Sequence, residues 1–142
     1  MYLQLYMFDR AVYERNYIYS FHYHLIWVTK YRNPAFTTPE LADEMKDILL
    51  QLAEMKEICI EEMEVMPDHV HLLMSFIPKH APADIVKYLK GHSAKMFLAA
   101  HPEIKNHDFW GGHLWSHSYY MSTLGNMSKE VVEQYIKNQY TK

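Results

Sequence analysis

The chain has 142 residues, the length of one ordinary domain, and 49% of them are apolar, which is enough to build a core. No run approaches the roughly 18 consecutive apolar residues of a membrane span, the start lacks the basic region and small-residue cleavage site of a signal peptide, and the single cysteine, Cys59, excludes an internal disulfide and points to a reducing cytoplasm. The net charge of −3 argues against a nucleic-acid partner until its distribution is read: residues 40–64 hold nine acids and two bases, while Lys79, Lys87, Lys90 and Lys95 share their stretch with one acid, Asp84. Such a locally basic surface can meet phosphate, although a solvated helix face has the same composition.

Asn16 to Val28 alternates as a strand, with Tyr17, Phe21, Tyr23, Leu25 and Trp27 on one face. Asn33-Pro34 ends it. Thr37-Thr38-Pro39-Glu40 reads as a helix start, with a hydroxyl cap, proline in the first turn and Glu40 three residues after Thr37. Leu41, Met45, Ile48, Leu49, Leu52 and Met55 follow at helical spacing. Ile58 to Met66 reads as a strand with acids on one face, Pro67-Asp68 as a tight turn, and His69 to Ile77 as the most apolar strand. After a loop at 78–82, Ala83 to about Ala100 forms a second helix, with Ile85, Leu89, His92 and Met96 on its inner stripe and Lys87, Lys90 and Lys95 on one flank. Residues 101–112 are expected as a loop, His113 to Thr123 as a last strand, and 128–139 as a final helix capped by Ser128. The order β-α-β-β-α-β predicts an α+β, ferredoxin-like (split βαβ) antiparallel sheet with two helices on one face, plus a C-terminal helix, in a single domain.

Two histidine pairs stand out. In a strand, residues i and i+2 point the same way, so His69 and His71 share a face about 7 Å apart, with Val70, Leu72, Met74 and Phe76 on the other. Two neutral imidazoles suit a divalent metal that takes further ligands elsewhere; two solvent-facing histidines with no role fit the spacing equally. His22 and His24 have the same geometry, and spacing does not rank the pairs. A structural zinc site is disfavoured, because one cysteine cannot build a thiolate-rich cage. In the final helix, Tyr135 and Gln139 are i, i+4 neighbours on a stripe with Val131, Val132 and Ile136, which a half-buried tyrosine completing an amphipathic face also explains.

Taken in order, Pro67-Asp68-His69-Val70-His71-Leu72-Leu73, Val86-Lys87-Tyr88-Leu89-Lys90-Gly91, Trp110-Gly111-Gly112-His113-Leu114-Trp115-Ser116 and Val132-Glu133-Gln134-Tyr135-Ile136-Lys137-Asn138-Gln139 resemble the insertion-sequence-200-like single-strand transposases, the one-tyrosine branch of the HUH nucleases. His22 to Arg32 fits the same pattern, and the resemblance runs from about residue 20 to 139; residues 1–15 match nothing. It implies metal-assisted cleavage and rejoining of single-stranded DNA at hairpin-marked element ends through a 5′-phosphotyrosine. The family's nucleophile falls on Tyr135, its histidine motif on His69 and His71, and its metal-assisting glutamine on Gln139, with Mg²⁺ or Mn²⁺ as the ion. His24 falls where the family has no ligand and is expected to be structural. The resemblance also implies a homodimer, in which Tyr135 serves either its own histidines or those of the other chain across a joint at Gly125-Asn126. Lys30, Arg32, Lys87, Lys90 and Lys95 are candidates for phosphate contacts, and Trp110 and Trp115 for base stacking or core packing. A domesticated relative that binds or nicks hairpin DNA without transposing would keep the same residues. A non-catalytic nucleic-acid-binding module would not need Tyr135. A two-histidine RNA phosphoesterase would need two His-x-Ser/Thr repeats, which are lacking.

Overall fold

The computed structural model describes residues 22–77, 79–123 and 129–138, with backbone alone for 129–132. Residues 1–15, the expected first strand before His22, the Gly125-Asn126 joint, Ser128 and Gln139 lie outside the described residues. The elements are β1 (His22–Val28), a 3-10 turn (Lys30–Arg32), α1 (Pro39–Met55), β2 (Cys59–Met66), β3 (His69–Ser75), α2 (Pro82–Ala100), α3 (Pro102–Asp108), β4 (Tyr120–Thr123) and α4 (Lys129–Asn138).

The four strands form one sheet in the order β2-β3-β1-β4, and every neighbouring pair is antiparallel. The crossover through α1 therefore lands one strand away from β1, and β3 fills the gap. Opposed residues of an antiparallel pair point to the same side. Leu25 opposite Leu72 and Trp27 opposite Val70 thus define one face. That face joins Met45, Leu49, Leu52, Ile85, Leu89 and Phe97 of α1 and α2 in the core. Aromatic contacts close it: Trp27 and Trp115 meet edge to face at 5.5 Å, and Phe36 meets Phe97 at 5.1 Å.

α1 begins one residue later than the Thr37–Glu40 box predicted. Thr38 is the cap, accepting from the Leu41 backbone N–H at 3.2 Å, with Pro39 in the first turn where its missing N–H costs nothing. In α2 the inner stripe is rotated from the expected one. His92 is exposed and Ser93 is buried, because Ser93 Oγ accepts the indole N–H of Trp115 at 3.0 Å.

Two expectations between residues 101 and 123 are corrected. The predicted loop contains α3, which Pro102 starts and which ends before the turn at Gly111-Gly112. The predicted strand 113–123 is broken. Trp115 bridges Thr29, the chain then leaves the sheet, and pairing resumes at Tyr120 opposite Ile26. Buried Leu114 and Trp115 pull this segment into the core, and the two-residue period cannot be kept through it.

Candidate active site

The second face of the sheet carries the histidines. Val28 lies opposite His69, and Ile26 lies opposite His71 on one side and Tyr120 on the other. The Tyr120 ring contacts the Tyr135 ring at 5.8 Å. Helix α4 therefore packs on the histidine face, across the sheet from α1 and α2, and Tyr135 stands on the same surface as His69 and His71. The face of β3 assigned from alternation is the observed one, with Val70, Leu72 and Met74 fully buried on the core side.

His69 is held by a chain of contacts that starts in β1. Thr29 donates its backbone N–H to the Asp68 carbonyl at 2.9 Å, which stitches the end of β1 to the Pro67-Asp68 turn. The next residues turn sharply. Tyr31 and Arg32 both have φ near +57, a left-handed conformation that side chains with a Cβ rarely adopt. This turn brings Arg32 Nε to Asp68 Oδ2 at 3.0 Å, while Asp68 Oδ1 meets His69 Nδ1 at 2.9 Å. The His69 hydrogen bond and the Arg32 guanidinium hold the Asp68 carboxyl below the usual carboxylate range. With Nδ1–H donated to a carboxylate, His69 presents the lone pair of Nε2, the outer-shell arrangement that metal-binding imidazoles use.

His71 is set by its surroundings. Its Nε2 lies 3.3 Å from Nδ1 of His24, and the two rings are 5.5 Å apart. Burial and the neighbouring His24 push the His71 imidazole below its ordinary range, and Glu64, directly opposite on β2, opposes the shift. The net direction keeps His71 neutral at neutral pH, as a metal ligand must be. His24, expected to be structural, is thus in direct contact with one of the pair. Its partner in sequence, His22, pairs with Glu61 instead.

Tyr135 is half-buried, and its hydroxyl lies 3.2 Å from Ser118 Oγ. Burial raises the phenol, and the Ser118 hydrogen bond partly offsets that. The groups that could hold a divalent ion are Nε2 of His69 and the ring of His71. Among the described residues no three His, Cys, Asp or Glu side chains cluster as a ligand set. Mg²⁺ prefers oxygen donors, so two imidazoles would make a loose site for such an ion, with its remaining positions left to oxygen ligands.

The DNA-contact candidates separate. Trp110 is 83% exposed, whereas Trp115 is 6% exposed, in contact with Trp27 and Phe36, and bonded to Ser93. Trp115 is therefore a core residue and not a stacking platform. Arg32 spends its Nε on Asp68. Lys90 turns inward and donates to the carbonyls of Ser116 and Ser118 at 2.7 and 3.0 Å. Lys87 and Lys95 are exposed along a cavity of about 690 Å³ between α2 and residues 112–119. Lys30 lies at the other end of that segment, 3.5 Å from His117. Sequence reasoning missed Asp68 and Ser118 as supports. Asp68 was visible next to His69, whereas the meeting of Ser118 with Tyr135 has no local signature.

A four-stranded antiparallel sheet with two helices on one face, and a histidine pair and tyrosine helix on the other, defines an α+β class of protein that carries imidazoles and a phenol on the open face of its sheet. Comparison with known proteins narrows it. The model of the family described as "Transposase IS200 like" matches residues 17–139. The chain is 44% identical over 128 residues to the ISDra2 transposase TnpA of Deinococcus radiodurans, covering 90% of each chain. It is 33% identical over 121 residues to the transposase for insertion sequence element IS200 of Salmonella typhimurium, covering 82% of this chain and 75% of that one. A crystal structure from Deinococcus radiodurans R1, described as a transposase, superposes with a TM-score of 0.81 at 44% identity, covering 89% of this chain and 95% of the other. A REP-associated tyrosine transposase bound to a REP hairpin shares the fold at 13% identity, with a TM-score of 0.51 over 90% of this chain and 74% of its own. The chain belongs to the IS200-like transposase family. No helix among the described residues is long and apolar enough to cross a membrane.

Proposed function

We propose that this protein cleaves and rejoins single-stranded DNA at hairpin-marked element ends, with Tyr135 as the nucleophile and His69, His71 and Gln139 as the ligands of Mg²⁺ or Mn²⁺. The observation that carries this reading is the shared face: the two imidazoles and the Tyr135 helix meet on one side of the sheet, and the core occupies the other. The hairpin as partner is supported by family membership and by the hairpin seen with the REP-associated relative.

The residues divide the work. Asp68 fixes the ring of His69 in one tautomer, and burial keeps His71 neutral. An ion bound there would polarise a non-bridging phosphate oxygen and offset charge in the transition state. The Tyr135 phenol gives up its proton as its oxygen bonds to phosphorus and the bond from phosphorus to the 3′ oxygen breaks, and that departing oxygen takes up a proton to leave as a 3′-OH. The product is a 5′-phosphotyrosine that keeps the ester, so another 3′-OH can reverse the step on a new end. The Tyr135 ring lies against Tyr120 of its own chain; service to its own histidines and service to those of a second chain are the two pairings that the mixing test below separates. The protein is expected to be a homodimer.

The test uses single-stranded oligonucleotides from the DNA flanking the gene, incubated with the protein and Mg²⁺ or Mn²⁺ and run on a denaturing gel. A covalent protein–DNA band is expected that Tyr135→Phe abolishes while hairpin binding persists. Hairpin binding without that band, with both metals and both strands, would favour a domesticated binding protein. Mixing His69→Ala with Tyr135→Phe separates the two pairings: restored cleavage would place Tyr135 in trans.

A further inference from the structure

Lys90 is a half-buried cation that the proposed chemistry does not use. Among the described residues no carboxylate pairs with it. Its Nζ donates to the Ser116 and Ser118 carbonyls, and the Tyr119 ring lies 5.9 Å away. The segment it holds is the break in the sheet. The Ser116 N–H bonds to the Val28 carbonyl, and pairing resumes at Tyr120 opposite Ile26. Between these points the chain advances four residues while β1 advances two, so 117–119 leave the ladder. Main-chain carbonyls that lose their ladder partners in a half-buried place need another donor. The Lys90 ammonium supplies one donor group to two of them. The conformation it stabilises presents the Ser118 hydroxyl to the Tyr135 phenol at 3.2 Å.

We propose that Lys90 is a positioning residue for the tyrosine nucleophile, holding the 116–118 segment so that Ser118 orients the Tyr135 hydroxyl. The proposal rests on the reading of Tyr135 as nucleophile, and it replaces the phosphate contact that the basic flank of α2 suggested. It also accounts for a lysine turned inward although burial lowers its ammonium to about 8. That cost is tolerated where the cation fixes a backbone.

The experiment compares Lys90→Met, Ser118→Ala, Ser118→Thr and the Lys90→Met/Ser118→Ala double variant, with Tyr135→Phe as control. Three quantities are read: the rate of covalent linkage to a hairpin-bearing single strand with Mn²⁺, hairpin affinity across a salt series, and the ¹³Cζ resonance of Tyr135 in DNA-free protein, assigned by its loss in Tyr135→Phe. Each single variant is expected to slow linkage on the order of tenfold or more, the scale of a misplaced reacting group. The double variant should be no slower than the slower single, because both substitutions break one chain of contacts. Ser118→Thr should recover most of the rate, hairpin affinity should stay within twofold, and the Tyr135 resonance should shift in both Lys90→Met and Ser118→Ala. Weaker hairpin binding in Lys90→Met, with a salt slope lower by about one, would make Lys90 a phosphate contact and overturn the proposal. Fully additive rate losses would overturn it too. Should Lys90→Met fail to fold, an unshifted Tyr135 resonance in Ser118→Ala is sufficient refutation. Covalent linkage surviving in Tyr135→Phe would instead remove the nucleophile reading, and the resonance arm would still report the contact.

Discussion

Asp68→Ala tests whether the His69 support does what its geometry says. The carboxylate meets His69 Nδ1 at 2.9 Å and Arg32 Nε at 3.0 Å, and the side chains of Asp68 and Arg32 are 19% and 26% exposed. Hydrogen bonds to charged groups contribute about 1.5–3 kcal/mol each when well buried, and partial exposure lowers that, so about 2 kcal/mol in all is a fair expectation. For a domain of this length that is a fall in Tm of about 8 °C at pH 7. The folded Asp68 carboxyl is held below its ordinary value. Its contribution is therefore complete above the unfolded value near 3.9 and disappears as pH falls through the lower folded value. The melting gap between the metal-free parent and variant should persist from pH 5 to 8 and close in acid. The same substitution frees the His69 ring and should weaken Mn²⁺ binding about 10- to 100-fold, read from the paramagnetic resonance of free Mn²⁺. A gap under 2 °C at pH 7 together with Mn²⁺ affinity within twofold of the parent would refute the reasoning.

Other outcomes follow from the same contacts. Trp115→Ala should cost about 3–5 kcal/mol in chemical denaturation, because it empties a core site against Trp27 and Phe36, whereas Trp110→Ala should stay within about 0.5 kcal/mol; the reverse ranking would remove Trp115 from the core. For His101, burial opposes the charged form, but bonds to Glu44 and Glu103 outweigh it and the imidazole is raised. Its stabilisation should be present below about pH 6.5 and fade as pH rises through the raised folded value. The Tm difference between parent and His101→Ala should therefore be larger at pH 6 than at pH 9, and a difference that grows with pH would contradict the assignment.

The parts of this protein legible in the sequence are those whose signal is local. Alternation placed Val70, Leu72 and Met74 on one side of β3 and the histidines on the other, because a strand's period is two and one face must be dry. Helical spacing found α1, α2 and α4, and the ordered motifs pointed to the family that the comparisons show. What failed locally was the run from residue 101 to 123. Leu114 and Trp115 follow the core there and not the ladder, and a short helix started by Pro102 looks like a loop when its apolar residues are few. Side-chain assignments that depend on direction were open for a related reason. A lysine on a helix flank is read as surface until something packs over it, and a tryptophan on the expected strand 113–123 fits base stacking and core packing alike; for Lys90 and Trp115 the deciding partner lies 22 or more residues away in sequence. The sequence alone determined which chemistry-bearing residue types sit on which elements, because periodicity is a property of one segment. Only the tertiary structure decided that Arg32 holds the Asp68 that serves His69, that His24 meets His71 and that Ser118 meets Tyr135, because the partners lie 17 or more residues apart and only the folded sheet brings them together.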